Sequence, residues 1–156
     1  MPKWAAFWSR AVSSSRRDSH YDSVPRMIAF SPDAVAKELR ARIPRAAFAF
    51  LIGSAKDGCV PPGGDIDIAV WYAGRARITW PLISKTIASV ERVVPKAVCD
   101  LGVLNSAGCV YQFEALKGHL LFCRPRLLEA YADFYAQTCR DYEEYMAAWC
   151  RWQPVA

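Results

Sequence analysis

The chain has 156 residues, of which 53% are apolar and 22% charged, with a formal net charge of +5. A chain of this length fits one domain and buries roughly two-thirds of its unfolded surface, so it needs neither disulfides nor a structural metal to fold. The composition excludes a disordered chain, and no apolar run reaches the roughly 18 residues of a membrane span.

The charge is unevenly spread. Residues 1–26 hold five basic residues (Lys3, Arg10, Arg16, Arg17, Arg26) against Asp18 and Asp22, a net +3, and the rest of the chain holds only +2. That remainder is too balanced for a dedicated nucleic-acid surface, so direct nucleic-acid binding is not expected. Residues 1–26 also carry six serines and show no periodicity. They read as a flexible basic tail, or as translation upstream of the natural start, with the folded domain spanning 27–156. The six cysteines include no C-x-x-C pair, and no histidine is placed to complete a zinc site. With no secretory signal, the expectation is reduced thiols in a cytoplasmic protein without membrane association.

In chain order, the first element is a helix opening near Ser31. Ser31 suits the N-cap, Pro32 the first helical position and Asp33 the positive helix end, and Val35, Leu39 and Ile43 give one buried stripe before Pro44. Ala46–Ile52 is an apolar run that reads as a buried strand, followed by a loop from Ser54 to Gly64 rich in Gly and Pro. Asp65–Tyr72 reads as a second strand, and 81–94 as a helix. Residues 97–104 read as a third strand, 109–117 as a helix and 120–123 as a short edge strand. A long aromatic-rich helix opens at Arg124-Pro125. The expected architecture is α/β (α+β), a small mixed sheet flanked by helices.

Asp65 and Asp67 are the informative pair. Side chains at i and i+2 of a strand share a face, so both carboxylates project one way while Ile66 and Ile68 fill the other. Two carboxylates held together repel unless a cation lies between them, and hard oxygen donors suit Mg2+. Alone, the pair fits a strand with two solvated acids as well. Gly53-Ser54, at the end of the first strand, offers a backbone that a phosphate can approach and a hydroxyl. Asp100 is an isolated acid in an apolar strand, with Gly102 on the same face leaving open space beside it. It reads as a third ligand and proton acceptor, or as an edge-strand acid facing water.

Gly53-Ser54, ten intervening residues and Asp65-Ile66-Asp67-Ile68, with Asp100 one helix and one strand later, resembles the pattern of the DNA polymerase β-like nucleotidyltransferase superfamily. The resemblance covers roughly residues 33–145 and is greatest to the minimal nucleotidyltransferases (MNT), whose loop runs G-S-x-x-x-G; Gly58 matches its last glycine. It implies a mixed sheet flanked by helices, two Mg2+ ions held by Asp65, Asp67 and Asp100, and ATP held by Gly53, Ser54, Lys56 and Gly64. It further implies transfer of AMP with release of pyrophosphate, with Asp100 helping to remove the acceptor's proton. Many minimal members are antitoxins paired with a HEPN-type helical toxin, and some adenylylate a tyrosine on it. Two departures stand out: the loop reads Gly53-Ser54-Ala55-Lys56-Asp57-Gly58 where the family is often arginine-rich, and Gly64 stands where a serine is usual. The resemblance therefore also admits a catalytically weak antitoxin acting by binding alone, or transfer to a small molecule such as an aminoglycoside.

Other residues read more plainly. Cys99 points away from Asp100 and is a core thiol, and His119 is a turn or surface residue. Trp71 and Trp80 read as core or pocket-wall aromatics. Tyr131, Tyr135, Tyr142, Tyr145, Trp149 and Trp152 give the last helix more aromatic surface than one small sheet easily covers, which suits a partner interface as well as packing on the chain's own sheet.

Overall fold

A computed structural model describes residues 27–152. The expectations placed on residues 1–26 lie outside these.

Eight segments carry the fold. Helix α1 spans Pro32–Arg42, β2 Ala46–Ile52, β4 Asp65–Tyr72, α2 Trp80–Val93, β5 Val98–Val103, α3 Cys109–Leu116, β6 His119–Cys123 and α4 Leu128–Trp152. Two short strands, β1 (Ile28–Ala29) and β3 (Cys59–Val60), pair with each other. The main sheet has the order β5-β4-β2-β6. β4 runs antiparallel to β2 and parallel to β5, and β2 runs antiparallel to β6. The mixed sheet flanked by helices matches the expected class. No helix among the described residues is long and apolar enough to cross a membrane.

Local chemistry explains the boundaries. The Ser31 side chain accepts a hydrogen bond from the Ala34 N–H at 3.3 Å, Pro32 occupies the first turn, and Arg40 and Arg42 sit in the last turn of α1. Val35, Leu39 and Ile43 are fully buried. The Arg45 guanidinium donates to the carbonyls of Ala73, Ala76 and Arg77, and that of Arg124 donates to Arg40, Ile43 and Ala46. These two side chains tie the β2 entry to the loops around it. Asn105 acts as a one-residue strand: its side-chain oxygen accepts from the Tyr72 N–H and its amide donates to the Tyr72 carbonyl.

The sheet has two apolar faces. Ala49, Leu51, Ile66, Ile68, Val70 and Tyr72 meet α1 and α2 on one side. Phe48, Phe50, Ala69 and Trp71 meet α3 and α4 on the other. Phe48 is the centre of the second layer: its ring stacks on Trp71 at 5.3 Å and packs against Tyr131 and Phe134, each at 5.2 Å.

The structure differs from the sequence reading at four places. The loop 54–64 is structured, with a 3-10 turn at Gly53–Asp57 and then β3. The chain pairs from Ile28, ahead of Ser31, because β3 supplies it a partner. A 3-10 turn at Pro125–Leu127 precedes α4. Trp80 is 75% exposed and is neither core nor pocket wall.

Replacing Phe48 with Ala should leave a cavity between the sheet and α4 and cost about 3–5 kcal/mol, read as a lower urea midpoint at unchanged slope.

Candidate active site

β4 and β5 run parallel with Asp65 opposite Val98, Asp67 opposite Asp100 and Ala69 opposite Gly102. Paired residues in a parallel ladder project to the same face. Asp67 and Asp100 are therefore neighbours across the ladder, and Asp65 lies on that face one pleat earlier. The shared face is the α3/α4 side, since Ala69 and Trp71 continue it. Ile66 and Ile68 fill the opposite face as expected. Asp65 and Asp100 are exposed and Asp67 is half-buried. Asp100 thus faces solvent from an edge strand.

Gly53 joins the loop motif to the acids. β2 ends at Ile52, which is paired with Asp67. Gly53 then turns with a φ of +69°, and a Cβ there would strike the Asp67 carboxylate. Both the left-handed backbone and the close approach demand glycine. Ser54 and Lys56 follow in the exposed 3-10 turn. Gly64 closes the turn that launches β4: its N–H donates to the Pro61 carbonyl at 2.8 Å, and a Cβ would collide with Pro61. That N–H is engaged, so Gly64 shapes the entry to Asp65 and does not offer a free donor.

The electrostatics follow from this packing. Partial burial raises the Asp67 pKa, and the nearby Asp100 and Asp65 raise it further. No salt bridge among the described residues involves any of the three acids. Nor do three His, Cys, Asp or Glu side chains among them gather at one point as a ready metal cage. The donor set nevertheless fits Mg2+, which is held by one or two carboxylates together with substrate phosphates and water and not by a closed protein cage.

Two residues missed in the sequence lie around the site, Tyr111 by the acids and Lys117 by the Gly53 turn. Tyr111, in the first turn of α3, lies on Gly102, where a Cβ would strike its hydroxyl and ring edge. The space beside Asp100 is filled by this phenol and is not open. Partial burial raises the Tyr111 pKa, as do Asp100 and Asp67, so the hydroxyl keeps its proton at neutral pH. Lys117, which pairs with Glu114 at 2.6 Å, lines a cleft of about 310 Å3 with Gly53 and Lys56. Helical spacing on α3 was the available sequence signal, but nothing in it says that Tyr111 reaches Gly102 of β5. A larger cleft of about 570 Å3 lies between Trp71, α3 and α4, and none of the acids lines it.

The remaining candidates separate cleanly. Cys99 is buried on the α1/α2 face, and its thiol is pushed up to about 12, chiefly by burial and then by Glu91, Asp100 and Asp67; it is no nucleophile. His119 is exposed on edge strand β6.

An acid whose pKa is higher in the folded than in the unfolded state lowers stability as pH rises through the interval between the two values. Without divalent ions at pH 7, Asp67→Asn should therefore melt a few degrees above wild type. The gap should close as the pH falls towards and below the ordinary carboxyl value of 3.8. Thermal melts across pH check this; a variant that melts lower at pH 7 contradicts it.

No family model matches the chain, and no curated protein matches it. Solved structures do. A chain of a toxin–antitoxin complex with AMP-PNP aligns at 24% identity over 76% of this chain and 91% of that one, with a TM-score of 0.60. A chain of the MntA–HepT toxin–antitoxin aligns at 22% identity over 75% and 88%, with a TM-score of 0.55. A third belongs to a complex of MNT antitoxin with tri-AMPylated Shewanella oneidensis HEPN toxin, at 23% identity over 75% and 87%, with a TM-score of 0.55. The chain shares the fold of components of these toxin–antitoxin complexes.

Proposed function

We propose that this chain is a Mg2+-dependent nucleotidyltransferase of the MNT antitoxin type, which transfers AMP from ATP to a hydroxyl, with a tyrosine of a HEPN-type toxin as the acceptor. The observation that carries the reading is the β4–β5 register, which sets Asp67 beside Asp100 and leaves Asp65 on the same face, against the Gly53 turn. The neighbours support it: one was solved with AMP-PNP, and another holds a tri-AMPylated HEPN toxin. The six unpaired cysteines agree with a reducing, cytoplasmic setting.

In this reading Asp65, Asp67 and Asp100 hold two Mg2+ ions, which offset phosphate charge and polarise the phosphoryl oxygens when bound. Ser54 and the Gly53 backbone orient the triphosphate. Lys56, with Lys117 across the same cleft, supplies the positive charge that an arginine-rich loop would provide. Asp100, on the solvent side, accepts the proton of the incoming hydroxyl. The acceptor oxygen bonds to the α-phosphorus as the bond to the β-phosphate oxygen breaks, and pyrophosphate leaves. A second reading, an antitoxin acting by binding alone, is favoured by the altered loop, where the acidic Asp57 stands beside Lys56.

Asp65→Asn with Asp67→Asn should lower AMP transfer by at least about 10²-fold, the scale of losing a strong electrostatic stabiliser. The measurement is labelled-nucleotide transfer to a co-expressed HEPN-type partner; wild-type rate in the double variant sinks the assignment. Complex formation with no transfer by the wild type selects the binding-only reading. The exposed aromatic end of α4, with Tyr135 at 49% and Trp149 at 53% exposure, is the proposed contact surface. Trp149→Ala should weaken the complex by about 2 kcal/mol if it anchors the interface, checked by calorimetry.

A further inference from the structure

The geometry points to Tyr111 as an internal acceptor: we infer that the chain transfers AMP from ATP to the phenolic oxygen of its own Tyr111. This rests on the nucleotidyltransferase reading above and adds to it a modification site within the chain.

Five observations converge on the phenol. Its ring crosses β5 and sets its hydroxyl on Gly102, two residues along the same face from Asp100. The seat is specific to glycine, because a Cβ at 102 would occupy the place of the hydroxyl. Gly102 is paired with Ala69, so the sheet carries only small groups just beyond the Asp67–Asp100 pair. Asp100 and Asp67 are the charged groups that act on this phenol. The residue is 37% exposed, so it is not sealed inside the fold. Meanwhile α3 is fixed around it. Gln112 donates to the Leu104 carbonyl at 2.9 Å, and Phe113 stacks on Tyr142 at 3.9 Å between ring centres. A hydroxyl held beside the acids needs no second molecule to bring it there.

The step balances. The Tyr111 oxygen bonds to the α-phosphorus of ATP, the bond from that phosphorus to the β-phosphate oxygen breaks, and pyrophosphate departs with its electron pair. The phenolic proton passes to Asp100 and then to water. The product is an AMP phosphodiester on Tyr111 that fills the acceptor side of the site. A chain so modified excludes other hydroxyls, and transfer to an external acceptor stops.

The test uses the full chain. Wild type, Tyr111→Phe and Gly102→Ala are each incubated with ATP and Mg2+ and read by intact mass and peptide mapping. Wild-type melting is followed separately with Mg2+ and α,β-methylene-ATP, which binds but cannot be cleaved at the bond in question. The expected result is one AMP per wild-type chain, on the peptide bearing Tyr111. The adduct should be absent in Tyr111→Phe and reduced by at least about 10-fold in Gly102→Ala, the order that a displaced reacting atom costs. Melting of the variants without nucleotide confirms that they fold. If the analogue raises the wild-type melting temperature but no AMP appears on Tyr111, the internal acceptor is overturned and the nucleotidyltransferase reading stands. If the analogue does not bind and no adduct forms, both are overturned.

Discussion

Two like charges are forced into adjacency by backbone hydrogen bonding. The parallel ladder between β4 and β5 is held by the apolar residues that alternate with the acids, so its register is set by burial on the α1/α2 face. Slipping that register by one residue would turn Ile66 and Ile68 outward. The cost of keeping them inside is a carboxylate pair on the other face, with the Asp67 pKa raised by its own burial and by its neighbours. No salt bridge among the described residues offsets these carboxylates.

The Gly53 turn depends on the same register. β2 ends at Ile52 opposite Asp67, and the chain must turn at once, over a carboxylate, with no side chain to spare. A loop motif ten residues away in sequence is thereby brought against the central acid. Gly64 does comparable work at the other end of that loop, where the turn onto Pro61 decides the direction in which Asp65 enters the sheet. Spacing between the motifs is then set by chain geometry: a 3-10 turn, a two-residue strand and one tight turn fill the interval.

Much of this is legible in the sequence. The strands at 46–52 and 65–72 follow from apolar runs bounded by glycine, and Ser31-Pro32-Asp33 marks the start of α1 through capping chemistry. The shared face of Asp65 and Asp67 follows from the period of a strand alone. The β1–β3 pair was invisible because two-residue strands have no period and exist only through each other. Tyr111 and Lys117 were missed for a related reason. Their relevance is set by where α3 crosses the sheet, a tertiary fact that no local pattern encodes. Gly102 stands out in the sequence, but a glycine beside an acid can mark either an empty space or a seat, and only the packing of Tyr111 distinguishes them.

The three acids are carried by strands of unequal security. Asp65 and Asp67 ride on β4, which has hydrogen-bonded neighbours on both sides, whereas Asp100 rides on β5, which has one. Proteins open in pieces, and an edge strand exchanges with solvent at lower free energy than the strand it leans on. Fraying of β5 would withdraw Asp100 and release the seat of Tyr111 together, while Asp65, Asp67 and Gly53 keep their places on β4 and β2. Amide hydrogen exchange would register this as faster labelling at Val98–Val103 than at Asp65–Tyr72. The fold thus separates the half of the site that would hold the nucleotide from the half that would meet the acceptor.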